Sequence, residues 1–261
     1  MPAKNKPPIW AWFLFLLPLL GWFITHQLTT DELLFYAINR FSSIGSIYVW
    51  VFFNFLGNAW GVFAFSLPLL IYAPRILLSG ILAGITAGMI ARPIKEVLEM
   101  PRPPSLFDNS AFFILGKPLT TLSMPSGHTV TAFAIATAYF FCIQRDRQSK
   151  FLWLFGLACI TGITRIVVGA HFPSDVFAGA AIGIFSGVLG CFLASYIPNN
   201  LMLPESWLSR FIAIASIGCG YMLIAKNIDF EQTYPFQVIA VVFIVVTLIK
   251  FKEKTITNIS T

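Results

Sequence analysis

Apolar runs near 20 residues recur along this chain, and that recurrence restricts the fold more than any other feature. A helix of that length crosses about 30 Å of hydrocarbon with its backbone polar groups satisfied internally. Eight stretches read as spans: 9–25, 44–72, 76–91, 127–143, 151–163, 176–197, 211–225 and 236–249. The second is long, and Pro68 reads as its bend or break. With 57% hydrophobic and 11% charged residues, the chain departs from soluble domains, where about 25% are charged. The expected fold is all-α, a polytopic transmembrane helical bundle. It is expected to form one integral membrane domain over 1–261, with no internal repeat and no second soluble domain.

The spans are punctuated in an informative way. Residues 1–8 are polar and basic and lead into 9–25, read as a retained anchor rather than a cleaved leader because no small-residue cleavage site follows. Trp10, Trp12 and Trp22 are expected near its two interfaces. Residues 26–43 read as a loop with a short amphipathic helix, and 92–121 as a proline-rich polar segment. Gly80, Gly84 and Gly88 in the third span, and Gly179, Gly183 and Gly187 in the sixth, form small-residue stripes that permit close helix packing. The cysteines at 142, 159, 191 and 219 fall inside apolar runs without ligand spacing and read as small core or lipid-facing residues.

An even number of spans puts both termini on one side. That side carries Lys4, Lys6, Arg75, Arg145, Arg147, Lys150, Arg210, Lys250, Lys252 and Lys254, the larger part of the 17 Lys and Arg residues. It is therefore expected to be cytoplasmic. The net charge of +6 follows from this distribution and calls for no nucleic-acid partner. The segment 92–121 and the stretch 164–175 then share the opposite, outward end.

Three clusters of chemistry converge there. In the first, Lys95 precedes Arg102 and Pro103, with Pro101 stopping a helix that Lys95 ends. In the second, Pro125-Ser126-Gly127-His128 opens the fourth span. Ser126 suits an N-cap, Gly127 allows close approach to backbone N–H groups that favour anions, and His128 can move a proton beside a bound anion. In the third, Thr164-Arg165 precedes His171 and Asp175. Arg165 offers a planar fork for phosphate oxygens. Asp175, four residues after His171, can accept its Nδ1 proton and leave Nε2 as a nucleophile. Each cluster alone has an ordinary structural explanation. Two histidines, three cations and an aspartate together on one face of a lipid-embedded bundle are costly without a function.

The order Lys95-x6-Arg102-Pro103, then Pro125-Ser126-Gly127-His128, then Thr164-Arg165-x5-His171-x3-Asp175 resembles the three-part signature of the type 2 phosphatidic acid phosphatase superfamily. The match spans about 80 residues, and Thr164 stands where the family usually has serine. The resemblance implies a six-helix phosphatase core, about 9–197, followed by two further C-terminal spans, about 211–250. It implies that His171 is the nucleophile forming a phosphohistidine, Asp175 its orienting group, and His128 the proton donor to the leaving oxygen. It implies that Lys95, Arg102, Ser126, Gly127 and Arg165 hold the phosphoryl oxygens. No metal or cofactor is expected.

The expected activity is phosphate release from a lipid phosphate at the outer face of a bacterial-type inner membrane. Undecaprenyl diphosphate leads the expected substrates, with phosphatidylglycerophosphate, phosphatidate and lipid A phosphate as alternatives. A phosphotransferase of the same family is a close competitor. A phospholipid transporter or flippase explains the cations and spans but not the His171–Asp175 pair.

Overall fold

A computed structural model describes residues 6–27 and 30–260; Lys4 and most of the basic start lie outside the described residues. All the regular elements among them are helical. A 3-10 turn at Ile9–Phe13 leads into α1 (Leu16–Gln27), and α2 (Asp31–Asn39) follows. Next come α3 (Ile47–Gly57), α4 (Ala59–Ser66), α5 (Leu69–Tyr72), α6 (Pro74–Leu98) and the short α7 (Pro103–Leu106). The remainder comprises α8 (Gly127–Cys142), α9 (Trp153–Val167), α10 (Pro173–Tyr196), α11 (Trp207–Ala225) and α12 (Tyr234–Ser260).

The chain is an integral membrane protein. Among the described residues, six helical segments are long and apolar enough to cross a membrane, and the bent pair α3–α4 meets the same measure when its two helices are counted together as one broken span. The remaining expected span, α8, is an apolar helix of only 16 residues.

Three expectations need correction. The sharpest break in the second span lies at Asn58, where α3 and α4 meet at 82°. Asn58 leaves the helical region and its side chain accepts the Trp60 N–H at 3.0 Å, so a polar cap restarts the helix there. The helix is interrupted a second time at Leu67–Pro68, between α4 and the single turn α5, so Pro68 does mark a local break but not the sharpest one. The third span does not stop at residue 91, because α6 continues through Pro93 to Leu98. The carbonyl that Pro93 leaves without a donor is that of Met89, one turn earlier on an exposed part of the helix. Of the α6 glycine stripe, only Gly80 is closely packed, against the Tyr139 ring; Gly84 and Gly88 face open space.

The α10 stripe does pack, and it sets the site's frame. A Cβ on Gly179 would sit 2.8 Å from the Ser126 carbonyl, and one on Gly183 2.6 Å from that of Val130. A Cβ on Gly187 would lie 2.5 Å from Thr137 Cβ. This backbone-to-backbone approach fixes the start of α8, with Ser126 and His128, against the start of α10, with Asp175. Farther along α10, Gly190 allows equally close packing on Ser79 and Ala83 of α6. Pro173 opens α10 at a position where a missing N–H costs nothing. The two C-terminal helices are not loosely appended. Cys219, Leu223, Ala240 and Ile244 share one buried cluster with Phe55, Ala64 and Leu67 of the α3–α4 region.

Candidate active site

The α9–α10 turn carries the expected nucleophile. Gly169 turns at a φ of +75°, and a Cβ there would lie 2.4 Å from the Phe113 carbonyl, so only glycine fits. Asn39 secures the turn by donating to the Ile166 and Val167 carbonyls at 3.1 and 3.0 Å. His171 follows, 2% exposed. Arg102 Nη1 lies 3.1 Å from His171 Nε2. A guanidinium can only donate, so Nε2 is the lone-pair nitrogen and Nδ1 carries the proton. Nδ1 then donates to Asp175 Oδ2 at 3.2 Å. The same oxygen accepts the Phe172 N–H at 2.9 Å and the Ser123 hydroxyl. Burial, and after it the charges of Arg102, Arg165, Lys95 and His128, hold His171 well below its ordinary value. A neutral imidazole with Nε2 turned toward a guanidinium is the form a nucleophile needs.

The cations converge as the spacing implied. Lys95 stands in the last turn of α6, and its Nζ donates to the Leu122 and Ser123 carbonyls at 2.6 and 3.0 Å. Arg102 donates to Thr121 at 2.8 Å, to Leu122 at 3.2 Å and to Ala170 at 3.0 Å. Arg165 is buried; Nη1 donates to Asn54 Oδ1, while Nε has no hydrogen-bond partner among the described residues. A buried guanidinium nitrogen without an acceptor is costly, and an anion's oxygen placed there would satisfy it.

At the start of α8 the parts differ in detail from the simple N-cap expectation. Ser126 occupies the cap position, but its side chain makes no capping bond. Its hydroxyl accepts from Thr129 Oγ1 at 2.9 Å. Its N–H donates to the Asp175 carbonyl at 3.0 Å, which joins the start of α8 directly to the start of α10. No atom lies within 4 Å of where a Gly127 Cβ would stand, so the backbone there is open to approach. Thr164, the departure from the usual serine, bonds its hydroxyl to its own helix at Ile160.

His128 has a partner that the sequence did not suggest. Its Nε2 lies 3.0 Å from Asp229 Oδ2, in the loop joining α11 and α12. The same oxygen accepts from Asn54 and Asn58, each at 3.1 Å. Burial alone would push the Asp229 carboxyl up, but the charge and hydrogen bond of His128, the charge of Arg165 and the Asn58 amide outweigh it. Asp229 is thus held below the usual carboxylate range and stays ionised, so Nε2–H of His128 is the donor. Below this site, a cavity of about 570 Å³ opens between α4, α5, α8 and α9. Its lining is apolar, with Ala132, Ile135 and Tyr139 of α8 and Leu154 and Leu157 of α9. Ala132 is one helical turn from His128.

All eight expected site residues therefore gather at one end of the bundle. The family model described as the PAP2 superfamily matches residues 69–201, just over half of the 261 residues. The chain belongs to the PAP2 superfamily. A lipid A 1-phosphatase of Porphyromonas gingivalis is 46% identical over 117 residues, which cover 42% of this chain and 26% of that protein. The undecaprenyl-diphosphatase BcrC of Bacillus subtilis is 36% identical over 118 residues, 44% of this chain and 55% of that protein. The chain thus spans a quarter to about half the length of these curated relatives. Among solved structures, the crystal structure of Aquifex aeolicus LpxE has a TM-score of 0.52 at 32% identity, covering 61% of this chain and 93% of that one.

Sequence reasoning missed Ser123, Asn54, Asn58 and Asp229. Asn54 and Asn58 did carry a signal, because two amides inside the apolar stretch 44–72 are expensive unless they face a polar site. Asp229 carried none: it is one acid in a loop, outside the PAP2 match, and its role depends on how α11 and α12 pack.

Proposed function

We propose that this PAP2 chain is a metal-independent lipid phosphatase acting through a phosphohistidine. The observation that carries the reading is the His171 imidazole, buried and neutral, with Nδ1 tied to Asp175 and Nε2 turned to Arg102. In this mechanism Nε2 attacks phosphorus while Asp175 stabilises the positive charge that develops on the ring. His128 protonates the leaving oxygen, and later takes a proton from the water that cleaves the phosphohistidine. Lys95, Arg102, Arg165, Ser126 and the Gly127 backbone hold the phosphoryl oxygens, so catalysis is mainly positioning and electrostatics. The unpartnered Arg165 Nε supports a phosphoryl oxygen at that point. The apolar cavity below His128 supports a lipid substrate.

Lipid A 1-phosphate leads the substrates on the likeness to the P. gingivalis protein. Undecaprenyl diphosphate follows on the likeness to BcrC. The site faces outward from a bacterial inner membrane, with both termini cytoplasmic, on the Lys and Arg distribution.

The test is phosphate release by the detergent-solubilised chain from lipid A, undecaprenyl diphosphate, phosphatidylglycerophosphate and phosphatidate. His171→Ala is expected to lower kcat/KM at least about 10³-fold, and His128→Ala about 10²–10⁴-fold. EDTA is expected to leave the wild type active. Full activity in His171→Ala refutes the mechanism, and loss with EDTA refutes metal independence.

A further inference from the structure

The second histidine–aspartate pair of this site lies partly outside the region shared with the PAP2 family. Asp229 belongs to the loop between α11 and α12, beyond residue 201, where the family match ends. That loop is firmly held. Gln237, 3% exposed, donates to the Leu223 and Lys226 carbonyls at 2.6 and 2.8 Å and so ties the end of α11 to the start of α12. The Phe230 ring sits over Gly116, where a Cβ would lie 2.9 Å from it. Asp229 itself turns at a φ of 59°, a region that aspartate tolerates better than most residues.

The anchored carboxylate meets His128 Nε2 at 3.0 Å with Asn54 and Asn58 on the same oxygen. His128 Nδ1 has no hydrogen-bond partner among the described residues. The charged groups facing the ring are Asp229, Arg165 and Arg102, with His171 neutral beyond them. Burial first, and then the two cations, oppose a positive charge on the ring, and Asp229 is the carboxylate that works against them. The pair thus mirrors His171 and Asp175 with the ring nitrogens exchanged: there Nδ1 is tied and Nε2 is turned to the site, here Nε2 is tied and Nδ1 is open.

We propose that Asp229 is a positioning residue for His128, fixing its Nε2–H form, aiming Nδ1 at the leaving oxygen and stabilising the imidazolium that donates the proton. This rests on the reading of His128 as the proton donor. As the bond from phosphorus to the leaving oxygen breaks and that from His171 Nε2 to phosphorus forms, the Nδ1 proton passes to the leaving oxygen. His128 is left neutral, with Nε2–H still on Asp229. In the second step Nδ1 recovers a proton from the attacking water, and the imidazolium is restored.

The experiment compares two substrates in one preparation of the full chain, so that the ratio does not depend on the fraction folded. Dodecyl phosphate has an alkoxide leaving group that needs a proton; p-nitrophenyl phosphate leaves as a stable phenolate that does not. Asp229→Asn is expected to lower kcat/KM for dodecyl phosphate about 10–100-fold and for p-nitrophenyl phosphate less than about threefold. The alkaline limb of the dodecyl phosphate profile is expected to move down by about one pH unit, because removing the carboxylate makes the imidazolium easier to deprotonate. Asp229→Glu is expected to recover part of the activity lost on dodecyl phosphate. Equal losses on both substrates, an unmoved alkaline limb, or no loss at all overturn the proposal. Wild-type turnover in His128→Ala overturns the reading of His128 and the proposal with it; loss in His128→Ala with no selectivity in Asp229→Asn overturns the proposal alone.

Discussion

Asn54 joins Arg165 to the His128–Asp229 pair, and replacing it by alanine tests that geometry most directly. It is fully buried in α3, its Oδ1 accepts from Arg165 Nη1, and its Nδ2 donates to Asp229 at 3.1 Å. A hydrogen bond from a charged donor is worth about 1.5–3 kcal/mol, and the bond to Asp229, one of three on that oxygen, about 0.5–1.5 kcal/mol. The first of these alone corresponds to about 10–150-fold in kcat/KM, provided that Arg165 must be held to stabilise the transition state. The assay is phosphate release by the solubilised protein, with inorganic phosphate as a competitive inhibitor. Asn54→Ala is expected to raise the inhibition constant along with the loss in kcat/KM, since the displaced guanidinium serves both ligands. A double-mutant cycle with Arg165→Ala separates this from general damage. In the Arg165→Ala background, Asn54→Ala is expected to cost no more than the Asp229 bond, about 1 kcal/mol. Two fully additive losses, or a folded Asn54→Ala protein within about twofold of wild type, would refute the assignment of Asn54 as the support of Arg165.

Two other predictions follow from the site and its placement. Burial and the surrounding cations hold His171 well below its ordinary value of about 6.5, so nitrogen-labelled NMR in detergent is expected to show one imidazole that keeps the Nδ1–H form after ordinary histidines have become protonated. The unfolded chain takes up that proton first, so His171 lowers stability as pH falls below the ordinary value; a midpoint near 6.5 contradicts the burial argument. Asn109 is exposed in the segment between α7 and α8, and a cysteine placed there is expected to react with an impermeant thiol reagent in intact cells. Labelling only after lysis reverses the proposed orientation.

The His171–Asp175 pairing was legible in the sequence because its geometry is local. His171 and Asp175 are four residues apart with Pro173 between them, and a helix beginning at Pro173 brings the carboxylate back to the ring. Pro101 and Lys95 likewise marked the end of α6 within a turn. What depended on distant packing was not legible. The bend in the second span was assigned to Pro68 because proline has a strong local effect, whereas an asparagine able to cap a new helix is equally at home on a helix surface. Gly84 and Gly88 continue a pattern that only Gly80 uses, because a stripe records permission to pack closely and cannot say whether a partner is present. Asp229 is 101 residues from His128 in sequence, and no spacing rule joins an acid in one loop to a histidine at a distant helix start.

The residues around the two histidines have different origins, and this bears on how such a chain is built for its substrate. Among the described residues, the side chains that hydrogen-bond the His171 ring (Arg102, Ser123 and Asp175) lie within the PAP2 match at 69–201. On the His128 side the supporting groups come from outside it: Asp229 from the C-terminal loop, and Asn54 and Asn58 from the bent pair α3–α4. The nucleophile must do the same work on any phosphoryl group, so its surroundings depend little on what the phosphate is attached to. In the proposed mechanism the proton donor meets the leaving group, which differs among a sugar hydroxyl, a glycerol hydroxyl and a second phosphate. An ionised Asp229 beside that position suits a neutral hydroxyl better than a departing phosphate, whose negative charge it would repel by about 1 kcal/mol at 4 Å in water and more when partly buried. On that ground, Asp229→Asn is expected to lose less activity on a diphosphate than on a sugar 1-phosphate, the result that would assign the preference to the flanking helices rather than to the shared core.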